Sequence, residues 1–133
     1  MNIVKNNNNN MDSLPLISLV DDDESIRESL PDLLKEFGFD VRAFASAEEY
    51  LDSGYIDKTG CLILDIAMPG MTGPELQEEL KVRGRKTPII FITAHADEAT
   101  RPRLMNNGAV ECLSKPFSEI ALMNALSVAF KMN

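Results

Sequence analysis

The chain has 133 residues and a formal net charge of −8, from 21 acidic and 13 basic side chains. One domain of this size buries roughly 65–70% of its unfolded surface, enough for a core without disulfide or metal staples. The acidic balance argues against a broad face for nucleic acid or anionic membrane, no apolar run approaches the ~20 residues of a membrane span, and the N-terminus lacks the apolar segment of a secretion signal.

In chain order, residues 1–10 include five consecutive asparagines, Asn6 to Asn10, and have nothing to bury. They read as a disordered tail or expression leader, with Met11 as the natural start and 11–133 as the domain. Leu16 to Val20 is nearly continuously apolar and predicts β1 over 17–21, a strand covered on both faces, which runs into Asp21-Asp22-Asp23. Ile26, Leu30, Leu33, Leu34 and Phe37 then recur on one face and predict α1 over 24–37. Pro31 lies inside that helix, off the stripe, and removes the donor that would meet the Arg27 carbonyl. Phe39, Val41 and Ala43 alternate with Asp40 and Arg42, so β2 over 40–44 is expected to be a half-exposed edge strand. Ser46 with Glu49 fits a capping box that opens α2 over 47–53.

Cys61 to Leu64 begins β3, over 61–65, which ends on Asp65. Thr72 with Glu75 fits a second capping box, opening α3 over 73–82. Pro88 to Ile92 predicts β4 over 88–92, with Thr93 at its end, and α4 follows over 98–107 with Pro102 in its first turn, where a missing N–H costs little. Val110 to Leu113 predicts β5 over 110–113, ahead of Lys115-Pro116, and Ser118 can cap α5 over 119–130. Between Ile120 and Phe130 only Asn124 and Ser127 are polar, whereas a helix on one face of a sheet needs only an apolar stripe. Some of Ala121, Leu122, Ala125, Val128 and Ala129 are therefore expected to face outward as an association surface, weakened by polar substitution of Leu122. Cys61 and Cys112 lie in strand runs and read as small core residues, in keeping with a reducing cytoplasm.

Strands alternating with helices imply an α/β fold, a doubly wound parallel sheet of five strands with five helices. Ligands of such sheets bind beyond the carboxyl ends of the strands, where strand order reverses. Asp21, Asp22, Asp65, Thr93 and Lys115 all fall at carboxyl ends. Acids, a hydroxyl and an ammonium sharing one edge can hold a divalent cation and move a phosphoryl group onto a carboxylate. Asp23 reads equally as an ordinary helix cap.

The order Asp-Asp, Asp, Thr and Lys-Pro at four strand ends, with Met68-Pro69-Gly70-Met71-Thr72-Gly73 after the central acid, resembles the receiver domain of two-component response regulators over about residues 16–130. The wording is most similar to receivers of the nitrogen-fixation regulators, which carry helix-turn-helix output domains. The resemblance implies a flavodoxin-like strand order 2-1-3-4-5. It implies that Asp65 takes a phosphoryl group from a histidine kinase, and that Mg²⁺ is held by Asp22, Asp65 and the carbonyl of Ala67, with Asp21 acting through water. Lys115 would meet the carboxylate and then the phosphoryl oxygens, Thr93 would donate to the phosphoryl group, and the Lys115-Pro116 bond would be cis.

The same resemblance implies a switch running from Thr93 to the position of Cys112, where receivers usually carry Tyr or Phe. A thiol cannot displace as much surface as a ring. Ala67 and His95 stand at positions that tune phosphoryl lifetime in the family. The implied domain is no turnover enzyme, although slow self-dephosphorylation is expected. It would sit in the cytoplasm, dock its kinase partly through α1, and meet a second copy or an output domain through α4, β5 and α5. It would bind neither nucleic acid directly nor membrane. A phosphorylation-independent interaction module with the same fold is the alternative. A flavin module would want a phosphate-cradling loop after β1, and an aspartyl phosphatase a second acid where Ala67 stands. An end at residue 133 fits a stand-alone receiver or a piece of a longer regulator.

Overall fold

The computed structural model describes residues 14–94 and 99–131. Strands β1 (Leu16–Val20), β2 (Asp40–Phe44), β3 (Cys61–Asp65), β4 (Ile89–Thr93) and β5 (Glu111–Ser114) form one parallel sheet in the order β2-β1-β3-β4-β5. Every residue of β3 and β4 is buried, which is why these two central strands can be apolar nearly throughout. Helices α1 (Glu24–Glu36) and α5 (Glu119–Lys131) cover one face, where Leu30, Leu34, Leu122 and Leu126 pack on Ile17, Leu19, Ile63 and Ile90. Helices α2 (Ala47–Asp52), α3 (Gly73–Val82) and α4 (Thr100–Asn106) cover the other, where Tyr50, Leu76, Leu80 and Leu104 meet Leu62, Leu64 and Phe91. Successive residues of β3 alternate between the two cores, as the period of a strand requires.

The fold is the one expected, with small differences that have local causes. β1 ends at Val20 because its ladder with β2 runs from Leu16 opposite Asp40 to Val20 opposite Phe44 and stops there. Asp21 therefore begins the following loop, while Thr93 is the last residue of β4. A short 3-10 turn at Ile56–Lys58 was not anticipated. β2 is an edge strand, but Ala43 is exposed and Phe44 is buried on the far face, where its ring meets Tyr50 edge-on at 5.3 Å. The Thr72 capping box is complete, whereas at Ser46 only half forms: Ser46 Oγ accepts from Glu49 N–H at 3.0 Å, but the Glu49 carboxylate bonds Ala45 N–H at 2.6 Å. α1 continues through Pro31 to Glu36.

One expectation fails. Leu122 is fully buried, not outward-facing, because residues 122, 125, 126 and 129 form a single inward stripe at helical spacing. The exposed large apolar side chains of α5 are Ile120 and Val128. The tail expected at residues 1–10, Met11, the first predicted turn residue of α4 at 98, and His95 all lie outside the described residues.

Candidate functional site

Strand order reverses between β1 and β3, and the loops leaving these strands carry the acids. Asp21, fully buried, is pinned by its own backbone: its N–H donates to the Phe44 carbonyl at 3.1 Å, and its carbonyl accepts from Arg27 Nη1 at 2.9 Å. Its Oδ1 accepts from Asp23 N–H at 2.9 Å. Asp23 is the cap of α1, accepting from Ser25 N–H at 2.9 Å and Ser25 Oγ at 2.7 Å, bonds that hold its carboxyl below the usual range. Asp22, between them, is exposed.

Asp65 closes β3 and is 6% exposed. The loop after it is tied back where Gly73 N–H donates to the Ile66 carbonyl at 2.9 Å. Gly73 has no room for a side chain, since a Cβ there would stand 2.3 Å from the Asp65 carbonyl oxygen. Ala67 lies in this loop and is exposed, while the next residue, Met68, is buried as a plug. From the other side of the sheet's edge, Lys115 N–H donates to the Thr93 carbonyl at 2.7 Å and the Lys115-Pro116 peptide is cis. The lysine's ammonium stands 2.8 Å from Asp21 Oδ2 and 3.8 Å from Asp65 Oδ1.

Carboxylate oxygens of Asp21, Asp22 and Asp65 lie within 4.8 Å of one another, and among the described residues the Lys115 ammonium is the cation paired with these acids. Burial above all, and then the charge of Asp21, push the Asp65 carboxyl up to about 7 against the pull of Lys115. Burial works to discharge Lys115, but its close approach to Asp21 and the charges of Asp21, Asp65 and Asp23 outweigh it and raise its pKa. Asp21 Oδ2 is buried and makes no aligned hydrogen bond, so the Lys115 charge at 2.8 Å is what compensates it. An unbalanced set of hard oxygen donors facing one small volume fits a hard divalent cation such as Mg²⁺.

Asp21, Asp22, Asp65 and Lys115 are thus brought together. Thr93 lies at the neighbouring strand end, buried, one residue beyond the partner of Asp65 in the ladder. Cys112 is outside the cluster: it pairs with Phe91 and packs in the core on the side of α4. Thr93, two residues after Phe91, points to that same face of the sheet. Sequence reasoning missed Arg27, Gly73 as a close-approach position, and Glu48, whose Oε2 accepts from Met71 N–H at 2.9 Å. Gly73 stood inside the quoted motif, and a cation six residues past Asp21 could have been noticed. Nothing local links Glu48 to a residue 23 positions away.

Comparison with known proteins agrees with this fold. Residues 17–127 match the response regulator receiver domain family. The chain is 44% identical over 114 residues to nodulation protein W of Bradyrhizobium diazoefficiens, covering 86% of this chain and 50% of that protein. It is 39% identical over 115 residues to the transcriptional regulatory protein FixJ of Azorhizobium caulinodans, covering 86% and 54%. The chain therefore spans about half the length of the curated relatives it matches. Among solved structures, the response regulator StyR superposes with a TM-score of 0.83 at 45% identity, covering 91% of this chain and 61% of that one. A crystal structure of FixJ-N gives 0.80 at 33%, covering 90% and 95%.

Proposed function

We propose, from the fact that this chain belongs to the response regulator receiver domain family, that Asp65 is its phosphoryl acceptor and that phosphorylation there shifts a conformational equilibrium. The family is regulatory rather than a class of turnover enzymes, and it binds Mg²⁺ at an acidic pocket. The observation that carries the assignment is Lys115, set between the buried Asp21 and Asp65 at the end of the sheet.

In the proposed step an Asp65 carboxylate oxygen attacks phosphorus. An O–P bond forms, the bond from phosphorus to the donor breaks, and its electron pair leaves with the donor, a phosphohistidine of a kinase partner. The protein's work is alignment and charge stabilisation. Lys115, 3.8 Å from Asp65 Oδ1, meets the new phosphoryl oxygens, and Thr93 donates to them from the end of β4. A Mg²⁺ ion, when bound by Asp22, Asp65 and the carbonyl of Ala67 with Asp21 acting through water, supplies neutralising charge to the acids and the phosphoryl oxygens. Asp21 and Arg27 keep the first acidic loop in place, the latter through the Asp21 carbonyl.

The output reading follows from position. Thr93 and Cys112 share the sheet face covered by α4, so movement of the threonine toward a phosphoryl group is relayed through Phe91 and Cys112 to that helix. The smaller thiol makes this relay shorter than a ring would. α4, β5 and α5 would then meet a second copy or an output domain, in a cytoplasmic regulator. Incubation with acetyl phosphate and Mg²⁺, read by intact mass, is expected to add one phosphoryl group to the parent chain and none to Asp65→Asn. An adduct of equal size on both would place the acceptor elsewhere, and no adduct even from a phosphorylated kinase would favour signalling by partner binding alone.

A further inference from the structure

The loop between Asp65 and α3 carries Ala67, and it is held at its base, in its middle and at its tip. Gly73 N–H closes its base on the Ile66 carbonyl, Met68 is buried in the core, and at its tip Met71 N–H donates to Glu48 Oε2 at 2.9 Å. Ile66 N–H also donates to the Ile92 carbonyl of β4 at 3.2 Å, but the tie at the tip comes from a side chain, in the first turn of α2. There an acid is favoured by the free N–H groups of the helix start. The two glutamates of that turn divide the work: Glu49 bonds Ala45 N–H beside its own helix, and Glu48 crosses to the loop.

Gly70 lies directly beside the contact. Its φ is +73°, and a Cβ added to it would stand 2.7 Å from Glu48 Oε2. Glycine here permits both the backbone turn and the close approach of the carboxylate.

We infer that Glu48 is a positioning residue for the acidic pocket. By holding Met71 N–H it fixes the loop that offers the Ala67 carbonyl, and so sets the affinity of the pocket for Mg²⁺ without touching the ion or the phosphoryl group. The inference rests on the reading of the Asp21, Asp22 and Asp65 cluster as a Mg²⁺ site.

The test follows backbone amides of the ¹⁵N-labelled protein during titration with Mg²⁺ alone. The parent chain is measured first, and a parent that does not bind Mg²⁺ overturns the reading of the pocket whatever Glu48 does. With binding established, Glu48→Ala is expected to weaken Mg²⁺ about tenfold, the low end for outer partners of metal ligands, and to speed solvent exchange of the Met71 amide. Glu48→Gln should stay within roughly twofold of the parent, since its amide oxygen can accept the same bond. Gly70→Ala should weaken binding at least as much as Glu48→Ala, since it strains the turn as well as pushing the carboxylate away, and amide shifts outside the loop report that each variant is folded. Saturating Mg²⁺ should restore the acetyl phosphate rate in all of them. Equal affinity in parent and Glu48→Ala would overturn the inference, as would a glutamine variant no better than alanine, because the effect would then belong to charge and not to the bond.

Discussion

Lys115 answers for two carboxylates at once, and a third stands beside them, so the metal-free pocket carries repulsion that the rest of the fold holds in place. Removing one acid should relieve it. Without divalent cations, Asp65→Asn is expected to stabilise the protein by roughly 1–3 kcal/mol, since each unit of raised pKa is worth about 1.4 kcal/mol against the charged form. The variant should also lose most of the stabilisation against urea that Mg²⁺ is expected to give the parent. Urea denaturation with chelator and with Mg²⁺ reads both effects, and a variant less stable than the parent in chelator contradicts this electrostatic account. A different residue carries the pH prediction. Burial pushes the Cys61 thiol up to about 12, above its unfolded value of about 8.5. The folded state holds the proton more tightly, so this stability is complete below the unfolded value and is lost as pH climbs toward 12. Native protein should leave Cys61 unlabelled by iodoacetamide at pH 8 and yield it in urea; rapid native labelling would show that the strand is not closed over it. The positions of Asp65, Thr93 and Lys115 were legible because each ends a strand or directly follows one, a place that an apolar run marks in the sequence. Glu48 and Arg27 were not, because their partners are backbone atoms of other segments and leave no trace in residue type.

Among the elements, the central strands could be read directly, since a strand buried on both faces is apolar at nearly every position. Their ends were read one residue off where a neighbour sets the limit, as β2 does for β1. The last helix shows the opposite failure. A helix apolar on most sides does not reveal which side is inward, and the choice of Leu122 as an outward residue put a core side chain on the surface. Only the packing against the sheet separates it from Ile120, which is 74% exposed. Leu122→Ala should therefore cost about 2–5 kcal/mol, while Ile120→Ala should stay within about 0.5 kcal/mol, both measured by chemical denaturation. Similar costs at the two positions would contradict the placement of α5. Gly73→Ala belongs to the same scale: its Cβ would press on the Asp65 carbonyl, and overpacking of this kind costs about 1–3 kcal/mol. The same change should slow phosphorylation of the acceptor, read by intact mass, by shifting the strand end that carries it.

Over the whole molecule, the fold separates chemistry from stability. Two apolar cores on either side of the sheet hold the chain, and the charges that do the proposed work collect at one edge where strand order reverses. A phosphoryl group added there changes the charge of a site already short of cations. One path for that change to act at a distance is a shift between arrangements of the elements that touch it, β4, β5 and α4 among them. Everything in this account depends on the phosphoryl group arriving at residue 65. The most direct measurement is to phosphorylate the protein with acetyl phosphate and Mg²⁺, reduce the acyl phosphate with borohydride to trap it as homoserine, and map the modified residue by peptide mass spectrometry. Homoserine at position 65 alone is the predicted result. Homoserine at Asp21, Asp22 or any other acid, with residue 65 still aspartate, would contradict it.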